Sequence, residues 1–120
     1  MKILDLLKDV SIDVNATCSN KDEAIDTLVS LMAKQGNLND QDVYKQGIYA
    51  REELSTTGIG EGIAIPHAQS EAVNAPGLAA MVVKDGVDYQ SLDNQPAKLF
   101  FMIAVPKTGG NEHLQSIDRK

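Results

Sequence analysis

Hydrophobic positions along this chain follow two rhythms. Ala24, Ile25, Leu28, Val29 and Met32 recur at three- and four-residue intervals, which predicts an amphipathic helix over Lys21–Gln35. Asn20 and Glu23 have the spacing of a capping box at its start, and Gly36 supplies a stop. A second helix is predicted over Asp40–Glu53, with Tyr44, Ile48 and Arg51 on one face turned partly toward the core. Further on, Leu78–Val83 and Leu99–Val105 are unbroken apolar runs bounded by Gly, Asp and Pro, the pattern of strands buried on both faces. Shorter elements are expected at Ile3–Leu7 (a helical turn), Ser11–Val14 (a first strand) and Ile63–Ile65 (a short buried strand). Doubly buried strands need helices to cover them, and neither repeats nor a linker divide the sequence. The expected fold is therefore α/β: one domain over residues 1–120, a sandwich with a mixed β-sheet flanked by helices on both faces.

Composition narrows this. At 120 residues with 42% hydrophobic content, one domain with one core is expected, and with only 4% aromatics that core is built from Ile, Leu, Val, Ala and Met. A formal net charge of −6, with no run of Lys or Arg, argues against nucleic acid as a partner and suits a partner with a positive rim. No apolar stretch approaches the length of a membrane span, so no direct membrane insertion is expected, and Met1-Lys2-Ile3-Leu4-Asp5 does not read as a signal peptide. Cys18 is the single cysteine, which excludes an intramolecular disulfide, suits a reducing cytoplasm and reads as structural. Two histidines without clustered cysteines or carboxylates give no metal-site spacing, and no cofactor is implied.

The densest chemistry lies in Thr56-Thr57-Gly58-Ile59-Gly60-Glu61-Gly62-Ile63-Ala64-Ile65-Pro66-His67-Ala68. Gly58, Gly60 and Gly62 permit positive φ and leave amide N–H groups uncovered, so a flexible run that could seat an anion is expected there. Pro66 lacks an N–H and cannot extend a ladder, which predicts His67 at a strand end. This reads as a phosphohistidine site; the plainer reading is a histidine that closes a turn. The glycines lack the Gly-Lys-Ser/Thr ending of a nucleotide loop, so no nucleotide is expected. Glu61 could orient His67 or stand as an exposed loop carboxylate, and Thr56 and Thr57 could bond phosphate or serve a turn.

Two further residues are candidates. Arg51 can grip phosphate oxygens with its planar fork, or simply complement the negative end of its helix. His113 follows the loop Pro106-Lys107-Thr108-Gly109-Gly110, with Asn111 as a plausible N-cap for a helix from Glu112; it can face an anion at that helix start or be a solvated surface histidine.

The signature from Glu52 (an acidic position, six residues, Ile59-Gly60, two residues, then Ile63-Ala64-Ile65-Pro66-His67-Ala68) resembles that of the fructose/mannitol-type (type 2) enzyme IIA domains of the bacterial sugar phosphotransferase system. Arg51-Glu52-Glu53, Ser55 to Gly60, Gly86-Val87-Asp88-Tyr89, Leu99 to Pro106 and Asn111-Glu112-His113-Leu114 are similar to its fructose branch. The resemblance implies a phosphotransferase component that works in the cytoplasm. His67 would accept a phosphoryl group from phospho-HPr and pass it to a cysteine of a sugar-specific enzyme IIB coupled to a membrane enzyme IIC, the sugar being fructose. It implies that Arg51 is an active-site arginine and that His113 lies beside the phosphorylated histidine. The alternative within the same family is a regulatory enzyme IIA of the nitrogen-related branch, whose phosphorylation state controls binding to a target. Family members continue past His113-Leu114-Gln115 with helical sequence, so a missing C-terminal segment and one uncovered apolar sheet face are expected. Asn94, where glycine is common in the fructose branch, falls in a predicted turn where Asn can take positive φ.

Overall fold

A computed structural model of the protein describes residues 3–107. A 3-10 turn, Ile3–Leu6, leads into β1 (Leu7–Asp13), followed by α1 (Lys21–Ala33), α2 (Gln41–Leu54), β2 (Gly58–Gly60), β3 (Ile63–Ala64), β4 (His67–Ser70), β5 (Gly77–Val87) and β6 (Ala97–Pro106). The strands form one mixed sheet in the order β1-β5-β6-β3-β2, with β4 also on β6. β5 and β6 run antiparallel at its centre, while β1 joins β5 in parallel and β3 and β4 both join β6 in parallel.

Both helices start where the sequence places them. The Asn20 side chain accepts the Glu23 N–H at 2.8 Å, and the Asp40 side chain accepts the Val43 N–H at 3.1 Å. Glu23 reaches back one residue further than a strict capping box, to the Ser19 N–H at 2.8 Å. α1 ends at Ala33 because the next turn tightens: Lys34, Gln35 and Gly36 each donate three residues back, and Gly36 takes φ +78°. The first strand begins at Leu7, earlier than Ser11, and its outer residues Lys8, Asp9 and Val10 are exposed, so burial alternation could not mark it.

α1 and α2 pack on each other and on one sheet face. Ile25, Leu28, Met32, Tyr44 and Ile48 from the helices meet Met81, Val83, Phe100, Met102 and Ala104 from the strands in one buried cluster. Tyr89 joins it with its ring centroid 5.5 Å from that of Phe100, edge to face. The alternate positions of β6, Leu99, Phe101 and Ile103, point the other way and are half-buried, with Leu78 and Ala80 of β5 buried among them. The expected helical cover is thus present on one face among the described residues.

Candidate functional site

Ile63 pairs with Leu99, Ala64 with Phe100, and His67 with Ile103, so β3 and β4 keep a single register on β6 across the break at Ile65–Pro66. Pro66 has no N–H to give, yet its carbonyl accepts from Ile103 N–H at 3.0 Å, and pairing resumes at once. His67 is consequently the first residue of a strand, a correction to the expected strand end. Ala68 faces α2, where a Cβ placed on Gly47 would stand 3.5 Å from its own. Alternation then turns His67 to the opposite face, beside the Ile103 position, where it is half-exposed.

The ring is held in one state. His67 Nδ1 lies 2.8 Å from the Ile65 carbonyl oxygen. A carbonyl can only accept, so Nδ1 carries the proton and the neutral ring keeps its lone pair on Nε2. Ile103, opposite His67, is tied to the helical layer as well: the Tyr44 hydroxyl donates to its carbonyl at 2.9 Å. Burial pushes the Tyr44 phenol well above its usual range, so it remains a donor.

The glycine run is not the flexible anion loop expected from the sequence. Gly58–Gly60 forms β2, antiparallel to β3, and Gly60, Glu61 and Gly62 turn tightly at φ +105°, +56° and +80°. The segment after β5 straps it down. Ser91 fills the space over Gly58, Leu92 N–H donates to the Gly58 carbonyl at 2.9 Å, and the Asp93 carboxylate accepts the Glu61 N–H at 2.9 Å. That bond and one from the Gln95 N–H hold the Asp93 carboxyl below the usual carboxylate range. Glu61 is exposed and makes the turn, and Asn94 does take positive φ, at +60°. Thr56 hydroxyl donates to the Tyr89 carbonyl at 3.1 Å, and Thr57 hydroxyl donates to Glu52, so both threonines serve the frame.

Arg51 lies one helical turn beyond Gly47, on the helix that crosses β4. Its Nη1 donates to the Ser55 carbonyl at 2.8 Å and meets the Ser55 hydroxyl at 3.4 Å, closing the C-terminus of α2. Among the described residues its hydrogen bonds are those two, and none reaches His67. His113, with its Asn111 cap, lies outside the described residues. Sequence reasoning placed Tyr44 on the core-facing side of its helix but not its bond to Ile103, and it passed over a buried pair, Lys21 and Glu52, whose charged ends lie 3.0 Å apart. The acidic position of the signature was the available signal for Glu52; nothing local pointed to Lys21.

A mixed sheet packed by two helices, presenting a half-exposed imidazole whose Nε2 lone pair has no partner among the described residues, defines a scaffold able to do nucleophilic chemistry at one ring nitrogen. A family model for the phosphoenolpyruvate-dependent sugar phosphotransferase system, EIIA 2, matches residues 5–119, and the chain belongs to that family. It is 49% identical over 119 residues to the PTS system fructose-specific EIIABC component of Bacillus subtilis, covering 99% of this chain and 19% of that protein. It is 32% identical over 102 residues to a nitrogen regulatory protein of Pseudomonas aeruginosa, covering 85% of this chain and 66% of that one. The fold resembles the enzyme IIAMTL of Escherichia coli solved in complex with phosphorylated enzyme IIBMTL, with TM-score 0.74 and 30% identity over 94% of this chain and 78% of that chain. The chain thus spans about a fifth of the fructose-specific relative and just under two thirds of the nitrogen regulatory one. Among the described residues no helix is long and apolar enough to cross a membrane.

Proposed function

We propose that His67 is the phosphoryl-carrying residue, accepting at Nε2 from phospho-HPr and delivering to a cysteine of a sugar-specific enzyme IIB coupled to enzyme IIC. The observation that carries this is the His67 Nδ1–H bond to Ile65, which leaves the lone pair of this half-exposed ring on Nε2. The N–P bond of the donor phosphohistidine breaks, its electron pair returning to the donor ring, as the bond to Nε2 forms, and Nδ1 keeps its proton in the hydrogen bond to the Ile65 carbonyl. Phosphoryl transfer has a loose, in-line transition state, so the protein's task is alignment and charge stabilisation. In this reading Arg51 exchanges its Ser55 contacts for the phosphate oxygens, and His113 completes their neutralisation. Residues 1–120 act as the enzyme IIA unit, working in the cytoplasm where HPr delivers phosphate. Similarity to a fructose-specific protein favours fructose as the sugar, and the phosphorylated IIB in the mannitol complex favours a IIB acceptor.

A regulatory role, in which the phosphorylation state governs a target protein, draws support from the nitrogen regulatory relative. Both readings use the same histidine. The test is phosphoryl transfer from enzyme I, HPr and labelled phosphoenolpyruvate to the wild-type chain and its His67→Ala variant. Acid-labile, alkali-stable label that is lost with His67 and chased onto a fructose IIB is expected; equal labelling of both chains refutes the assignment. Label that no IIB removes favours the regulatory role.

A further inference from the structure

We propose that Glu52, paired with Lys21, is a positioning residue that sets the ring state of His67; this rests on the phosphohistidine reading above. The pair sits where the start of α1 meets the end of α2, with the two side chains 17% and 5% exposed. Lys21 also lies 4.6 Å from the Tyr89 ring centroid and donates to Gln90 Oε1 at 3.2 Å, so its ammonium is fixed from several sides. Both Glu52 oxygens also reach Thr57. Oε1 accepts the Thr57 N–H at 3.1 Å, and Oε2 accepts the Thr57 hydroxyl.

From Thr57 the path to the nucleophile has two steps. The Thr57 carbonyl accepts the Ile65 N–H at 3.0 Å, and the Ile65 carbonyl accepts His67 Nδ1–H at 2.8 Å. Thr57 is only 3% exposed, so its N–H cannot turn to water if the carboxylate is withdrawn. The peptide must move to find another acceptor. That movement carries the Ile65 peptide with it and frees the imidazole to take up the Nε2–H tautomer, whose lone pair is on Nδ1 and which has none on Nε2 to attack phosphorus. A buried ion pair is by itself a weak source of stability. What this one supplies is direction: a charge-assisted anchor on a single peptide at the root of the hairpin that carries the histidine.

The experiment reads the His67 ring nitrogens of 15N-labelled, unphosphorylated protein by long-range 1H–15N correlation, alongside the phosphorylation rate and a melt, for Glu52→Ala, Glu52→Gln and Glu52→Asp. Wild type is expected to hold the single Nδ1–H tautomer. E52A is expected to mix tautomers and to slow labelling by ten- to about 100-fold, the scale of a displacement near 1 Å. E52Q, which can still accept the N–H and meet the hydroxyl of Thr57, is expected to keep one tautomer and lose no more than about threefold, a small fraction of that effect. E52D keeps the charge but is one methylene short of Thr57, and it should behave like E52A; it replaces that variant should E52A fail to fold. A folded E52A or E52D with the wild-type tautomer and rate overturns the proposal, as does an E52Q ring as mixed as that of E52A. The ring readout needs no phosphate donor. A wild-type chain that is never labelled but whose tautomer depends on Glu52 therefore refutes the phosphocarrier reading and upholds the positioning role.

Discussion

Replacing Tyr44 by Phe removes one oxygen from the seam between α2 and the centre of the sheet. The ring is fully buried, and its hydroxyl donates to the Ile103 carbonyl at 2.9 Å. The side chain hardly changes volume, so the cost is the lost hydrogen bond together with a less satisfied carbonyl, about 1–1.5 kcal/mol. With an unfolding entropy near 2.1 cal/mol/K per residue, 120 residues give about 250 cal/mol/K, so Tm should fall by roughly 4–6 °C. A pH dependence accompanies this. The Tyr44 phenol is raised from its ordinary 10.0 by desolvation in the folded state. Its contribution is therefore fully present below pH 10 and is lost as pH rises toward the folded value, because the unfolded chain ionises first. Wild type should lose stability above about pH 10 more steeply than the Phe variant. Thermal melts and urea titrations at pH 7 and above pH 10 measure both effects. A Tm within 1 °C of wild type at pH 7, or identical alkaline slopes, would refute the reasoning.

Gly58→Ala would place a Cβ 2.4 Å from Ser91 Oγ and 2.9 Å from Ser91 Cα. Since backbone must shift, a loss of about 1–3 kcal/mol in a urea titration is expected. Asp93 has its carboxyl lowered first by the Glu61 N–H and then by the Gln95 N–H, so its contribution is present above the unfolded value near 3.8 and is lost as pH falls below it. Asp93→Asn should therefore flatten the acid limb of a stability-versus-pH curve while leaving the alkaline limb unchanged. Cys18 is 7% exposed, and burial, the largest influence, raises its thiol, so alkylation at neutral pH should be far slower than for a model thiol until denaturant is added. Arg51→Ala should melt cooperatively and carry label, yet accept it more slowly; wild-type transfer rates would remove Arg51 from the site.

Much of the architecture was legible because local pattern and final burial agree. The stripe from Ala24 to Met32, the cap Asn20, and the runs within β5 and β6 each state their element without reference to the rest of the chain. The hairpin was not legible in this way. Gly58-Ile59-Gly60 has the composition of a mobile loop and becomes a strand because β3 supplies a ladder on one side and Ser91 and Asp93 close over the glycines. Pro66 misled in a related manner: it interrupts one strand locally, while the register on β6 is set by residues on both sides of it.

The sequence by itself determined the helices, the two central strands and the family signature that ends on His67-Ala68, since these depend on spacing along the chain. Tertiary structure alone decided which face His67 occupies, which of its nitrogens bonds the Ile65 carbonyl and where Glu52 finds its cation. Those depend on hydrogen bonds and ion pairs between residues far apart in sequence, whose directions are fixed only once the sheet register and the helix packing bring them together.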